Sequence, residues 1–325
     1  MTRLPDAIDA IAEQHGFAGV VSVDRGGQIE FVKAYGFAHR GYEIPNAVDT
    51  RFAIASGTKG MTALTVVSLI EQEALRLSTT ARSVLGKDLP LIGGDVTIEH
   101  LLAHRSGIGD YVDEEAGYEI TDYVMTVPVH ELATTEQYLA VLGGHPAKFR
   151  PGERFAYCNS GYVVLALIAE RVSGVPFHDL VRERVLEPAG MHDSGYFRSD
   201  ELPPRTAVGY VSDVRSNVFH LPVRGSGDGG LYATVGDLRA FWAALFGGRI
   251  VGSRWVDEMV RPHSERYGLG FWLATTTGTV ALEGYDAGVS FRSVHDPATG
   301  HTRTVVSNTS DGAWPVAAEW DAEPG

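Results

Sequence analysis

The 325-residue sequence predicts a mixed α/β protein of the α+β type, with one antiparallel sheet flanked by helices. Strand-like runs lie near both ends of the chain, and the turns that join them are too short for parallel pairing. Helix-like stretches fill the region between them. We therefore expect a sheet domain formed by residues 1–76 and 201–325, with residues 77–200 as an inserted, mostly helical domain.

The first part of the chain predicts a helix followed by a β-hairpin. Residues 4–15 have the spacing of a short amphipathic helix. Two β-rich runs, residues 17–24 and 28–35, then flank a Gly-Gly turn, which is a hairpin signal. The chain thus begins its sheet before the first long apolar stretch, residues 61–74, which is apolar on nearly all sides and predicts a buried helix.

The middle of the chain predicts helices and loops without a convincing strand pair. Helical patterns occur at residues 97–104, 135–142, 161–172 and 176–186. The first of these carries His100 and His104 four residues apart, which suggests a zinc site. The order His-Glu-x-x-His is absent and no third ligand is evident, so a structural role is favoured. Acidic and aromatic residues at 110–123 indicate a loop of the kind that lines a site.

The last third of the chain predicts the rest of the sheet. An amphipathic helix at 234–246 comes first, followed by four β-like runs at residues 267–274, 279–285, 288–295 and 301–307. Short breaks between the runs favour antiparallel pairing. A final helix at 312–322, with Pro315 in its first turn, can lie across that sheet.

Composition limits the possible functions. The formal net charge is −14, the pI is near 5.3 and no Lys/Arg-rich run is present, so we expect neither nucleic acid nor an anionic membrane as a partner. The first residues have no apolar signal core, and no stretch approaches 18 apolar residues, so the expected location is the cytoplasm. A single cysteine, Cys158, excludes an internal disulfide and lacks an evident partner histidine, so a packing role is favoured.

The most informative motif is Ser56-x-x-Lys59 at the start of the apolar stretch. At this spacing the two side chains lie on one face of a helix, with Ser56 at its N-cap or in its first turn. Burial and the positive end of the helix dipole both favour a neutral amine at Lys59. A neutral amine beside a serine hydroxyl is a base next to a nucleophile, as covalent acyl transfer requires.

A plainer interpretation is a serine cap followed by a lysine whose charged end reaches solvent, and the spacing alone favours it. Against it, the chain has four lysines and 23 arginines, so a lysine within an apolar segment is unusual for this sequence. The other motifs must decide between the two.

Those motifs are Tyr157-x-Asn159 and a late, glycine-containing strand, in that order after Ser56. With them the chain resembles the serine β-lactamase and penicillin-binding-protein-like family, closest to the branch of class C β-lactamases and related esterases. The resemblance extends from about residue 17 to residue 307. It implies a β-lactamase/transpeptidase-like fold with the active site in the cleft between a sheet domain and a helical domain.

The resemblance also implies roles for individual residues. Ser56 would be acylated, while Lys59 and Tyr157 would move its proton, the latter as a phenolate whose pKa falls beside a cation. Asn159 would orient Lys59 and a substrate amide.

The family's third motif carries a cation and a glycine. It corresponds to residues 284–291, where Tyr285 takes the place of the cation. The N–H groups of Ser56 and Gly288 would form the oxyanion hole. Arg292 could supply the missing charge if its side chain turned inward.

We therefore expect a serine hydrolase that acts through an acyl-enzyme on a small ester or amide, with no cofactor and no metal. The alternatives are β-lactamase or D,D-peptidase activity on cell-wall peptides, and a catalytically idle relative that senses peptides or β-lactams. The sequence leaves the acyl group, the leaving group and the oligomeric state open.

Overall fold

The computed structural model describes residues 4–117, 119–264 and 266–322. The strands are β1 (Gly19–Arg25), β2 (Gln28–Tyr35), β3 (Phe37–His39), β4 (Ile44–Pro45), β5 (Phe52–Ala53), β6 (Tyr232–Ala233), β7 (Trp272–Ala274), β8 (Thr279–Asp286), β9 (Val289–Asp296) and β10 (His301–Ser307). The α-helices are α1 (Leu4–His15), α2 (Thr58–Glu71), α3 (Ala81–Leu85), α4 (Ile98–Leu102), α5 (Leu139–Leu142), α6 (Asn159–Ser173), α7 (Phe177–Val181), α8 (Glu187–Ala189), α9 (Val235–Phe246), α10 (Ser253–Met259) and α11 (Ala313–Ala322).

The main sheet has six strands in the order β2-β1-β10-β9-β8-β7. Every neighbouring pair is antiparallel: hairpins join β1 to β2 and link β7 through β10 in succession, and β1 pairs with β10. The pairing of β1 with β10 brings the two ends of the chain together. The predicted sheet built from both termini is therefore confirmed.

Both faces of the sheet are covered by apolar packing. On β1, Val20 belongs to the large core that contains α2, α6 and α9, whereas its neighbour Val21 belongs to a smaller core with α1 and α11. This alternation follows from the two-residue period of a strand. It explains why β1 is almost continuously buried, and it places α11 across the sheet as predicted.

Residues 77–200, with residue 118 left out, form helices, turns and loops without a named strand. The long apolar helix α6 packs on α2. Residues of this region and of the sheet share one apolar core. The division into two domains at residues 77 and 200 stays a prediction.

Several boundaries differ from the prediction. Helix α2 runs from Thr58 to Glu71, three residues before the predicted span at each end, and Ser56 lies in the 3₁₀ turn Ala55–Gly57 that leads into it. The predicted strand at 267–274 shortens to β7, because an isolated bridge between Tyr267 and Trp272 folds its first half back.

Within the described ranges, no single helix has the length and apolar character needed to cross a bilayer. The segments Asn159–Ser173 and Phe177–Ala189 meet those limits only when taken together, and they are bent by 88°.

Candidate active site

Ser56 occupies a strained turn between a short strand and a buried helix. Strand β5 pairs with β6 just before the turn, and Ile54 donates its N–H to Leu231 O. The intervening residue, Ala55, has φ of +43°, in the left-handed region that costs free energy for a residue with a Cβ. The surrounding pairs hold this conformation, which fixes the direction of the Ser56 side chain.

Lys59 lies one turn further along and is 1% exposed. Its Nζ atom lies 2.8 Å from Ser56 Oγ, 2.8 Å from Asn159 Oδ1 and 2.7 Å from the main-chain oxygen of Asp228. The amide oxygen and the carbonyl oxygen can only accept hydrogen bonds. A neutral Lys59 must therefore donate both of its hydrogens to them, which leaves its lone pair directed at the Ser56 hydroxyl.

Asn159 is held so that its oxygen, rather than its nitrogen, faces Lys59. Its Nδ2 donates to Val112 O at 3.0 Å, and its main-chain N–H donates to Asp110 Oδ2 at 2.7 Å. The other oxygen of Asp110 accepts the Ser160 N–H at 2.8 Å, so this buried carboxylate caps the first turn of α6. The sequence analysis did not identify Asp110 as a site residue.

Tyr157 completes the group predicted from the three motifs. The Lys59 Nζ lies 4.9 Å from the centre of its ring, and its hydroxyl is hydrogen-bonded to Ser56. On its other side the ring lies 4.3 Å from the ring of His104 and is stacked on Trp272 at 5.9 Å. The ring is therefore held between aromatic groups, with only its hydroxyl directed at the nucleophile.

The predicted phenolate at Tyr157 is wrong. Burial raises the pKa of this phenol well above its usual value, and the negative charge of Glu114 raises it further, whereas the hydrogen bond with Ser56 lowers it. The sequence could not show that acidic groups from distant segments surround the ring. Tyr157 is thus a neutral hydroxyl that can donate and accept a proton.

The two histidines of the suggested zinc pair have other contacts. His100 Nδ1 accepts the Thr97 N–H at 3.3 Å and closes the first turn of α4. His104 Nδ1 accepts the Cys158 N–H at 3.0 Å, and burial lowers the pKa of this imidazole well below its usual value. No group of three possible metal ligands is found in the part of the chain that the structure describes. His104 instead supports the ring of Tyr157.

The third motif is positioned differently from the prediction. Gly284, on β8, packs directly on the turn of the nucleophile: a Cβ there would lie 2.1 Å from Ile54 O and 3.0 Å from Ser56 N. Gly284 is therefore the glycine that the packing requires. Tyr285 follows it, lines the Ser56 cavity and has a side chain that is 42% exposed.

The prediction that the Gly288 N–H binds an oxyanion is wrong. This N–H donates to Ser310 Oγ at 2.8 Å, because Gly288 lies in the two-residue turn between β8 and β9. Asp286 and Val289 close that turn, so the next pair, Tyr285 and Ser290, is of the type that exchanges no hydrogen bonds. The Tyr285 N–H consequently points away from β9, and the turn that carries Ser56 packs on β8.

Arg292 does not replace the missing cation. It forms ion pairs with Glu283, directly opposite on β8, and with Asp321 of α11 at 2.6 Å. The side chain is therefore directed to the face of the sheet that α11 covers.

Ser56 opens into a cavity whose empty space, including its open mouth, is about 540 Å³. The loop predicted to line a site does line it: Tyr111, Val112, Glu114, Ile120 and Tyr123 face the nucleophile. A neighbouring cavity shares part of this lining.

Two aspartates that the sequence analysis missed line both cavities, Asp228 and Asp286. Asp228 accepts the Tyr111 hydroxyl at 2.5 Å, and burial raises the pKa of its carboxyl although Lys59 lowers it. Burial also raises the pKa of Asp286, to about 7. The sequence signal that could have pointed to Asp228 was the glycine-rich run around it, which matches no nucleotide-binding pattern. In the structure this run packs against α2, where Thr62 Oγ1 donates to Gly227 O.

Comparison with known proteins agrees with this geometry. The Beta-lactamase family model matches residues 4–323. The chain belongs to the Beta-lactamase family. A penicillin-binding protein from Bacillus halodurans has a crystal structure that matches 97% of this chain and 99% of that one, with 37% identity and a TM-score of 0.90. The fold class predicted from the sequence is thereby confirmed, and the chain is placed among serine hydrolases.

Two further relatives carry names of activities. Esterase EstB of Burkholderia gladioli is 32% identical over 215 residues, which are 64% of this chain and 54% of that protein. D-amino acid amidase from Ochrobactrum anthropi, solved with D-phenylalanine, is 25% identical with a TM-score of 0.78, over 98% of this chain and 97% of that one. The chain spans between 54% and 63% of the length of the curated relatives that it first matches.

Proposed function

We propose that the protein is a serine hydrolase that forms an acyl-enzyme at Ser56 on a small ester or amide substrate. The observation that carries this proposal is the arrangement around Lys59 Nζ. Two of its three neighbours, Asn159 Oδ1 and Asp228 O, accept hydrogen bonds only, so the lone pair of the neutral amine faces the Ser56 hydroxyl. This is the orientation that a general base needs.

In the first half-reaction, Ser56 Oγ bonds to the substrate carbonyl carbon as its proton passes to Lys59 Nζ. The bond to the leaving group then breaks, and the proton reaches that group through the Tyr157 hydroxyl, which lies next to Ser56. Because this phenol stays neutral, it acts as a relay: it gives its own proton and takes one back. Water then attacks the acyl-enzyme, with the same groups working in reverse.

The developing oxyanion needs donors that are already aimed at it. The Ser56 N–H is one candidate, at the start of α2 where the helix dipole also favours negative charge. The Tyr285 N–H is the other, because it makes no hydrogen bond with β9 and directly follows Gly284, which packs on the Ser56 turn. The close packing of Gly284 on the Ser56 turn brings these two groups together.

The esterase or amidase assignment is supported by likeness to EstB and to the D-amino acid amidase. The likeness to a penicillin-binding protein supports the alternative of β-lactamase or D,D-peptidase activity. Against that alternative, Tyr285 and the ion-paired Arg292 leave no cation to receive a substrate carboxylate at the third motif. A non-catalytic sensor would not require Ser56, Lys59 and Tyr157 together.

The test has two parts. A fluorophosphonate probe should label the protein at Ser56, with the labelled peptide identified by mass spectrometry. Purified protein should then be assayed with 4-nitrophenyl butyrate, D-phenylalanine amide and nitrocefin. Turnover of the ester or the amide above that of nitrocefin supports the proposal. Faster turnover of nitrocefin favours the β-lactamase alternative, and no labelling and no turnover of any substrate would reject a hydrolase.

A further inference from the structure

The cavity that contains Ser56 is lined by three acidic side chains, Glu114, Asp228 and Asp286. Among its described lining residues there is no arginine or lysine, and His220 is the only residue of a basic type. Lys59 lies beneath Ser56, with its ammonium surrounded by protein acceptors. When these carboxyl groups are ionised, a ligand in the cavity experiences a negative potential, which opposes an anion and favours a cation.

Asp286 is the carboxylate best suited to take a cation. One of its oxygens accepts the Ala287 N–H at 2.9 Å, and the other has no hydrogen-bond partner among the described residues. The charged groups that act on it are Asp228, Glu114 and Lys59, of which the two acidic ones disfavour its ionisation. A bound cation would reverse that effect and would supply the missing donor.

Asp228 lies at the same place, since both aspartates line the Ser56 cavity and the neighbouring cavity. Two hydrogen bonds hold the backbone at this position. Thr62 Oγ1 donates to the preceding Gly227 O at 2.7 Å, and Asp228 O accepts from Lys59. The Tyr111 hydroxyl holds one oxygen of its carboxylate. The two carboxylates thus lie at the junction of the cavities, and both line the cavity into which Ser56 opens.

The second cavity is mainly apolar away from this junction. Its walls include Tyr138, Phe197, Leu221 and Val223. Three sites therefore meet around one point: a nucleophile for a carbonyl carbon, a pair of carboxylates for a cation, and an apolar space.

We propose that the substrate is an ester or amide of an α-amino acid with a free, protonated amine, which binds between Asp228 and Asp286 while its apolar side chain enters the second cavity. This inference rests on the proposed function, because the carbonyl must reach Ser56. An α-amino acid carries its carbonyl, amine and side chain on one carbon atom, so it can occupy all three sites at once. The charge-assisted bonds to the carboxylates orient the carbonyl for attack.

The first experiment compares substrates that differ by the amine alone. Initial rates of ammonia release at pH 7.5 should be measured for both enantiomers of phenylalanine amide and for 3-phenylpropanamide, which has the same leaving group and aromatic ring. We expect the faster enantiomer to exceed 3-phenylpropanamide in kcat/KM by at least about tenfold. Equal or better turnover of 3-phenylpropanamide by the unmodified protein would overturn the inference.

The second experiment removes each charge. Asp286→Asn and Asp228→Asn should each lower the ratio of kcat/KM for the amine-bearing over the amine-free amide by about tenfold. Asp257→Asn is the matched control, because Asp257 is exposed on α10 and lies outside both cavity linings. It should keep the ratio of the unmodified protein. A ratio unchanged in both cavity variants would overturn the assignment of the carboxylates.

These outcomes differ from a failure of the proposed function. If 4-nitrophenyl butyrate is hydrolysed in a Ser56-dependent manner while the amine confers no advantage, the hydrolase stands and the amine site is wrong. If Ser56 is neither labelled nor needed for any turnover, the proposed function itself is wrong.

Discussion

The Nζ atom of Lys59 lies 2.8 Å from the Oγ atom of Ser56, and every other hydrogen-bond partner of that amine is an acceptor without a hydrogen. The geometry therefore limits what each group can do. As an ammonium, Lys59 donates to all three partners. As an amine, it can only receive a proton from Ser56. Loss of one proton therefore changes Lys59 from a hydrogen-bond donor to Ser56 into a base beside that nucleophile.

We expect Ser56→Ala to abolish covalent labelling and turnover while the fold persists. The variant leaves one donor of the buried Lys59 without a partner, which costs about 1–3 kcal/mol and lowers Tm by several degrees. Intact-protein mass spectrometry after fluorophosphonate treatment and a thermal melt would check this. Ser83→Ala, at an exposed position on α3, is the control and should be labelled normally. Labelling of the Ser56→Ala protein would show that another residue is the nucleophile.

Lys59→Ala and Lys59→Arg should both reduce the rate of acylation by about a hundredfold or more. The arginine variant keeps the positive charge but cannot give up its proton at working pH, so it tests the role as a base directly. Pre-steady-state rates with 4-nitrophenyl butyrate would measure the effect. If the arginine variant kept a substantial fraction of the original acylation rate, Lys59 would act only through its charge.

Tyr157→Phe should affect amides more than activated esters. The phenol stays neutral because burial and nearby acidic groups raise its pKa, so its task is to carry a proton to the leaving group. A 4-nitrophenolate leaves without a proton, whereas an amide nitrogen cannot. We expect kcat/KM to fall by about a hundredfold or more for an amide and by clearly less for 4-nitrophenyl butyrate.

The matched control is Tyr42→Phe, since Tyr42 is 78% exposed and lies outside the cavity. Equal losses for both substrates in Tyr157→Phe would instead point to a role in holding Ser56. The ring contacts with His104 and Trp272 remain in this variant, so a change in packing is not expected.

The sheet and the main helices could be predicted because their signals are local. Strands β8, β9 and β10 are β-rich runs of eight, eight and seven residues and are joined by short turns. The motifs of Ser56, Lys59 and Tyr157 also depend on short spacings. These features can therefore be recognised in the sequence without knowledge of the tertiary structure.

Other features of the site depend on contacts between distant segments, and the sequence could not show them. Strands β5 and β6, which hold the Ser56 turn, are two residues long and lie about 180 positions apart. The importance of Gly284 comes from its contact with Ile54 and Ser56, not from its neighbours on β8. The motif was therefore assigned around Tyr285 and Gly288, although the packing centres it on Gly284.

The acidic character of the cavity was missed for the same reason. Glu114, Asp228 and Asp286 come from three separate segments, and only Glu114 is adjacent to other acidic residues in the sequence. Burial and the negative charges of Glu114, Asp228 and Asp110 raise the pKa of Tyr157 and so disfavour the expected phenolate. A charge balance summed over the chain cannot reveal such a local excess.

The convergence of these charges also predicts a change of stability with pH. The folded protein holds the pKa of Asp286 at about 7, against 3.8 for a free aspartate, chiefly because the carboxyl is buried. Between these two values the folded state keeps a proton that the unfolded state loses. Stability from this group is therefore lost as pH rises through the folded pKa, where a buried charge must form.

Asp286→Asn removes that charge and retains an oxygen for the Ala287 N–H. The variant should gain stability relative to the unmodified protein as pH rises from 5 to 8, by at most about 2–3 kcal/mol because the cavity admits solvent. Urea unfolding at pH 5 and at pH 8 would measure this gain, and Asp257→Asn, at an exposed position, should show no such trend. A variant that is less stable at pH 8 than at pH 5, relative to the unmodified protein, would show that Asp286 is ionised and stabilised in the fold. A gain of stability together with a loss of preference for amines would identify a carboxylate that is kept for binding at the expense of stability.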